Sequence, residues 1–537
     1  MDTIEKKPKK ERLIHYANGP SLEEINGTVK VPQGKGFWKT LLAYSGPGAL
    51  VAVGYMDPGN WSTSITGGQN FQYLLMSIIL ISSLIAMLLQ SMAAKLGIVT
   101  QMDLAQAIRA RTSKALGIVL WILTEFAIMA TDIAEVIGAA IALYLLFKIP
   151  LVIAVFITVF DVLLLLLLTK IGFRKIEAIV VALIVVIFVV FAYEVALSDP
   201  NWSQVIVGLV PNAKTIATSP TVGGMTPLTG SLGIIGATVM PHNLYLHSAI
   251  SQTRQLDHND EKQVAQTVRF SMWDSNIQLT VAFFVNALLL IMGVAVFKSG
   301  AVKDPSFFGL HQALSDTSTM SNGVLAGVAR TGILSTLFAI ALLASGQNST
   351  ITGTLTGQVI MEGFIHMQMP LWLRRLITRL LSVIPVLICV GLTSGQSLVH
   401  QHEALNDLMN NSQVFLAFAL PFSMLPLLMF TDSKTEMGKR FTNHWYTKAA
   451  GWISVLALTG LNIMNLPAQI EGFFGNGASK SELALADGIA DVAIVAILAL
   501  LAWMIIDLYR GNKAYAKHLA TVAKESADTT PEIEMHK

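Results

Sequence analysis

Apolar residues along this chain gather into long blocks separated by short polar stretches. A helix needs roughly 20 consecutive apolar residues to cross a bilayer. On that measure the sequence predicts twelve membrane-spanning helices, at about 42–67, 71–94, 116–145, 150–169, 176–197, 230–252, 271–297, 328–357, 376–396, 412–431, 449–467 and 485–508. The first 36 residues carry Lys6, Lys7, Lys9, Lys10 and Arg12 but no apolar block. The first block is therefore expected to be a true span and not a cleaved signal.

Basic residues orient the spans. With both termini cytoplasmic, 30 of the 36 Lys and Arg fall on inward-facing segments. The other six, Lys148, Lys214, Lys298, Lys303, Arg330 and Lys480, face outward. This is the bias that sets membrane topology, and one helix more or fewer would scramble it downstream. The longest outer connections, 198–229 and 298–327, contain Gly, Pro and Ser and are expected to be irregular.

Composition narrows the class. Apolar residues make up 53% and charged residues 13%, against about 25% charged in soluble domains. A net charge of +2 gives no footprint for nucleic acid. The single cysteine, Cys389, excludes internal disulfides and cysteine-cluster metal sites and reads as a small core residue. No phosphate-cradling loop or catalytic constellation is visible, so neither ATP-driven pumping nor an enzyme is expected.

Two spans carry a break at matching places. Span 1 reads Gly54-Tyr55-Met56-Asp57-Pro58-Gly59-Asn60, and span 6 reads Ala237-Thr238-Val239-Met240-Pro241-His242-Asn243. Proline removes an N–H and clashes with the preceding turn. The carbonyls it frees must be satisfied by protein, water or an ion. Asp57 adds an ionisable group whose insertion costs about 2.5–3.5 kcal/mol. Five spans separate the breaks, so the two run in opposite directions. Paired interruptions of this kind point to an inverted-repeat transporter with a site at the bilayer midplane.

The residues at the breaks suit a metal ion: the Asp57 carboxylate, the Asn60 amide, the Met240 thioether, and backbone carbonyls near Gly54 and Ala237. Sulfur is a soft donor that binds Mg²⁺ and Ca²⁺ poorly. The expected cargo is a first-row divalent ion such as Mn²⁺ or Fe²⁺, with Cd²⁺ as a soft competitor.

Asp57-Pro58-Gly59-Asn60 and Met240-Pro241-His242-Asn243 resemble the signature motifs of the Nramp family of proton-coupled divalent-metal transporters. Gly346-Gln347-Asn348-Ser349-Thr350-Ile351-Thr352-Gly353-Thr354, continuing to Gly357-Gln358 and Met361-Glu362-Gly363, resembles the family's transport stretch. Thr131-Asp132-Ile133-Ala134-Glu135 and Arg374-Arg375 also match. The resemblance implies an all-α polytopic membrane protein with a LeuT-like five-plus-five inverted repeat, broken helices 1 and 6, and two peripheral helices. It places metal ligands on Asp57, Asn60, Met240 and the carbonyls of Gly54 and Ala237, with Gln413 of span 10 approaching the ion. The local pattern around Leu416–Pro421 departs from the family's.

Span 3 carries Glu125, Asp132 and Glu135 at spacings that share one helical face. Three buried carboxylates need partners or protons. The expected partners are Arg374, Arg375 and Arg379 at the start of span 9. A proton pathway is expected through Asp57, His242, Glu135, Asp132, Glu125, Arg375 and Arg374, with His247 as a further candidate. Asp161, Glu194, Asp274 and Asn286 read mainly as interhelical hydrogen-bonding groups.

These readings divide the chain into an N-terminal cytoplasmic tail (1–38), a first repeat (39–200), a second repeat (201–432), peripheral helices 11 and 12 (433–508) and a C-terminal tail (509–537). The expected function is proton-coupled import of Mn²⁺- and Fe²⁺-like ions across a bacterial plasma membrane. Its expected partners are metal ions, protons and the lipid bilayer, with no permanent cofactor, nucleic acid or obligate protein partner. A sodium-coupled organic-solute symporter on the same fold is the alternative, and would favour Gly- and Ser-rich breaks. A metal-gated channel or sensor would require a continuous polar pore or an output domain.

Overall fold

Inside a membrane, backbone polar groups are satisfied within helices, and the computed structural model is built from them. It describes residues 15–16, 19, 21–23, 25–31, 36–161, 173–197, 200–297, 304, 306–315, 331–474 and 479–528. The first half comprises α1a (Pro47–Gly54), α1b (Pro58–Phe71), α2 (Met76–Thr100), α3 (Lys114–Phe147), α4 (Leu151–Thr158) and α5 (Phe173–Leu197). The second comprises α6a (Pro227–Val239), α6b (Pro241–Ile250), α7 (Glu261–Phe297), α8 (Ile333–Ile365), α9 (Leu371–Leu392) and α10 (Leu398–Thr431). Helices α11 (Trp445–Phe474) and α12 (Lys480–Asp528) follow. The later part of predicted span 4 lies outside the described residues. The only sheet among the described residues pairs β1 (His15–Tyr16) with β2 (Met367–Gln368).

Both breaks fall where the prolines predicted them. Each proline is the first residue of the following half-helix, a position where its missing N–H costs nothing. The halves cross in antiparallel fashion: α6a packs on α1b, and α6b on α1a. The fold is thus an all-α five-plus-five inverted repeat, each half opening on a broken helix, with α11 and α12 outside it. Eight helical stretches among the described residues are long and apolar enough to cross a membrane. The halves of α6 and helices α1a and α4 are too short to qualify, and α8 carries a run of polar residues through its middle.

Three helices outrun the apolar blocks that predicted them. Helix α10 begins at Leu398, not near 412, because its first turns carry His400, Gln401, His402, Glu403, Asn406 and Asp407 and read as loop on hydropathy. Helix α7 begins at Glu261, and α12 continues to Asp528, so most of the predicted C-terminal tail is helical. The connections predicted to face outward are not wholly irregular either. They contain helices Trp202–Gly208 and Phe307–Ser315, while 298–303, 305 and 316–330 lie outside the described residues. Cys389 is half-buried at the core's edge.

Glycines set the closest helix approaches. A Cβ on Gly97 of α2 would lie 1.9 Å from the Ser248 carbonyl oxygen of α6b. That neighbour is backbone and has no rotamer to change. Gly97→Ala is therefore expected to destabilise the protein by about 1–3 kcal/mol. The measurement is a thermal melt in detergent, and an unchanged midpoint would contradict this packing. The start of α1a is anchored by Asp274 of α7, which accepts the N–H groups of Gly46 at 3.3 Å and Gly48 at 2.8 Å. Beside it Glu177 of α5 accepts from Arg254 and Arg174, each at 2.8 Å.

Candidate metal centre

The three residues between α1a and α1b leave helix, and side chains take up the freed carbonyls. Asn60 Nδ2 donates to the Gly54 oxygen at 3.2 Å, and Asn286 Nδ2 to the Tyr55 oxygen at 2.9 Å. The Met56 oxygen accepts from Trp61 Nε1 at 2.9 Å and Ser345 Oγ at 2.5 Å. Asp57 caps α1b, its Oδ1 accepting the Asn60 N–H at 2.8 Å. In the second break the single residue Met240 links the half-helices with φ +34°, a left-handed conformation that non-glycine residues rarely hold.

Four oxygens and nitrogens from the two breaks meet at one point. Asn60 Nδ2 lies 2.8 Å from Asp57 Oδ1, 2.8 Å from the Ala237 oxygen and 3.2 Å from the Gly54 oxygen. The two carbonyls come from the C-terminal ends of α1a and α6a, where the helix dipole favours positive charge. Asp57 Oδ2 has no hydrogen-bond partner among the described residues, although Asp57 is fully buried. Met240 is fully buried as well, and its Sδ accepts from Asn243 Nδ2 at 3.4 Å. Gln413 of α10 adjoins this point: a Cβ on Gly59 would sit 2.3 Å from its Nε2, and its Oε1 is unpartnered among the described residues.

No group of three His, Cys, Asp or Glu side chains placed to hold a metal exists among the described residues. The meeting point between the breaks offers one carboxylate, two carbonyls, an amide and a nearby thioether, a set suited to a borderline-soft divalent ion.

The carboxylates predicted on span 3 divide into two groups. Glu125 lies near the start of α3, partly exposed, with Arg374 donating to both its oxygens at 2.7 Å and Trp121 Nε1 at 3.1 Å. Asp132 and Glu135 lie deeper. Arg375 reaches Asp132 Oδ1 at 2.6 Å, Glu135 Oε2 at 2.9 Å and Asp161 Oδ2 at 3.1 Å. Arg379 also binds Asp161, and its guanidinium lies 3.6 Å from Glu135. Ser349 and Thr350 of α8 donate to Glu135 at 2.6 and 3.2 Å. Asp161 is thus an ion-pair member and not merely an interhelical hydrogen-bonding group. It enters from the end of α4, and no spacing within that helix reveals its partners.

Other predicted groups are placed differently. His242 is buried beside Met240, with Nδ1 unpartnered among the described residues. His247 is hydrogen-bonded through Nδ1 to Gln90 Oε1 at 3.0 Å, and Gln90 in turn donates to the Tyr55 hydroxyl at 2.8 Å. It makes no hydrogen bond to the carboxylate row. Asp274 and Asn286 bond between helices as expected. Glu194 does not: both its oxygens are unpartnered among the described residues.

Comparison with known proteins identifies the family. The family model described as natural resistance-associated macrophage protein-like, Nramp, matches residues 48–467. A Latilactobacillus sakei subsp. sakei protein named divalent metal cation transporter MntH is 56% identical over 456 residues, 85% of this chain and 95% of that one. A Lacticaseibacillus casei protein of the same name is 54% identical over 476 residues, 88% of this chain and 100% of that one. The crystal structure of an Eremococcus coleocola manganese transporter, in complex with an aromatic bis-isothiourea substituted compound, is also similar. It superposes with a TM-score of 0.87 at 68% identity, covering 92% of this chain and 100% of that one. A family match that spans both broken helices, with relatives more than half identical over most of their length, means that this chain belongs to the Nramp family.

Proposed function

We propose that this protein imports divalent transition-metal ions across the plasma membrane by alternating access, coupled to protons. The observation that carries the reading is the convergence of Asp57, Gly54 and Ala237 oxygens on the Asn60 amide between two broken helices. An ion at that point takes the place of the Asn60 N–H, and the amide turns its oxygen inward. Mn²⁺ and Fe²⁺ are the natural cargo, with Cd²⁺ also accepted. Relatives named as manganese and divalent-metal transporters support this class of cargo. Met240 supplies the discrimination against Ca²⁺ and Mg²⁺, which gain little from a thioether.

The proton route runs from Asp57 and His242 to the deep carboxylate cluster. There Asp132, Glu135 and Asp161 face, among the described residues, two guanidinium groups, those of Arg375 and Arg379. With every group ionised the cluster carries one negative charge in excess, a place for one transferable proton. Glu125 and Arg374 extend the row toward the start of α3. His247, whose Nδ1 is engaged by Gln90, is a further candidate beside this route. The distribution of basic residues supports cytoplasmic termini, and transport, not catalysis, is the output.

Reconstitution into liposomes tests this reading. Mn²⁺ uptake and lumenal pH are followed together, for the wild type and for Met240→Ala at rising Ca²⁺. Uptake with acidification is expected, and Met240→Ala is expected to become inhibitable by Ca²⁺ where the wild type is not. Uptake without acidification would contradict the proton route. Absence of Mn²⁺ flux in folded protein would contradict the transport reading.

A further inference from the structure

Two asparagines occupy the same position in the two broken helices. Asn60 is the third residue of α1b and Asn243 the third of α6b. Each donates from its amide to the side chain of the residue that precedes its helix: Asn60 Nδ2 to Asp57 Oδ1 at 2.8 Å, and Asn243 Nδ2 to Met240 Sδ at 3.4 Å. Each also reaches the other break. Asn60 crosses to the Ala237 oxygen of α6a. Asn243 lies against Gly54 of α1a, where a Cβ would fall 2.1 Å from its Nδ2. Both asparagines are buried.

We infer that Asn243 is a positioning residue that aims the Met240 thioether at the transported ion, the counterpart in the second repeat of what Asn60 does for Asp57. A methionine side chain has three rotatable bonds and no fixed direction of its own. Sulfur has two lone pairs; the Asn243 N–H engages one and leaves the other for a soft cation. Gly54 completes the device, because any side chain there displaces the amide. This inference rests on Met240 being a metal ligand.

The test is a double-mutant cycle read as Cd²⁺ and Mn²⁺ uptake in liposomes. Asn243→Ala is expected to raise the KM for Cd²⁺ about fivefold, the worth of one hydrogen bond, with a smaller change for Mn²⁺ and with kcat retained. In a Met240→Ala background the same substitution is expected to change nothing further, since coupled groups are not additive. Gly54→Ala leaves both side chains chemically intact; it is expected to raise the Cd²⁺ KM alone and to add nothing to Asn243→Ala. Additive effects of Asn243→Ala and Met240→Ala would overturn the positioning role while leaving Met240 a ligand. A Cd²⁺ KM unchanged in Met240→Ala would overturn the ligand reading and this inference with it.

Discussion

Asp57→Asn is expected to reduce Mn²⁺ affinity and uptake by about a hundredfold or more. Asparagine keeps the size of the side chain and the oxygen that caps α1b, and it is among the best residues for that capping position. The Asn60 N–H that Asp57 accepts at 2.8 Å therefore keeps an acceptor, and the helix break is expected to persist. What is lost is the one carboxylate among the donors at the meeting point. Removing one member of a buried charge pair costs about 2–5 kcal/mol, and each 1.4 kcal/mol is a factor of ten. Calorimetric titration with Mn²⁺ alongside liposome uptake measures both quantities. Near-wild-type affinity in the variant would place the ion elsewhere.

Arg375→Ala is expected to be the most destabilising single change in the buried network. One guanidinium touches Asp132, Glu135 and Asp161 at 2.6 to 3.1 Å and also Thr350 at 2.9 Å. Without it Arg379 alone faces three buried carboxylates. Breaking a buried pair in this way costs about 3–5 kcal/mol. A large fall in the thermal midpoint of the detergent-solubilised protein is expected. Arg375→Lys is expected to recover only part of it, because an ammonium group lacks the planar fork that reaches several acceptors together. A midpoint equal to the wild type's would show that the carboxylates are satisfied without this residue.

Much of the site was legible in the sequence because its residues are local. Proline marks each break, and Asp57, Asn60 and Met240 lie within three residues of one. Positions with no such signal were harder to read. Asp161 belongs to the carboxylate cluster only because α4 delivers it to Arg375 and Arg379, and Ser349 and Thr350 serve Glu135 only because α8 packs along α3. The seven- and three-residue spacings on span 3 put its carboxylates on one face, yet Glu125 is partly exposed and pairs separately with Arg374. The start of α10 escaped detection because its first turns are polar, and Leu398, Val399 and His400 face outward, so a hydropathy measure reads them as loop. Asn243 did carry a signal: it repeats the third position of α1b, and comparison of the two breaks residue by residue brings it out.

X-ray absorption at the cadmium edge on Cd²⁺-loaded protein, for the wild type and Met240→Ala, reads the ion's ligands directly. An ion held between the two breaks is predicted to show one sulfur neighbour beside its oxygen neighbours, and to lose that sulfur in the variant. A first shell of oxygen and nitrogen alone in the wild type would contradict a thioether ligand and the basis proposed here for metal selectivity.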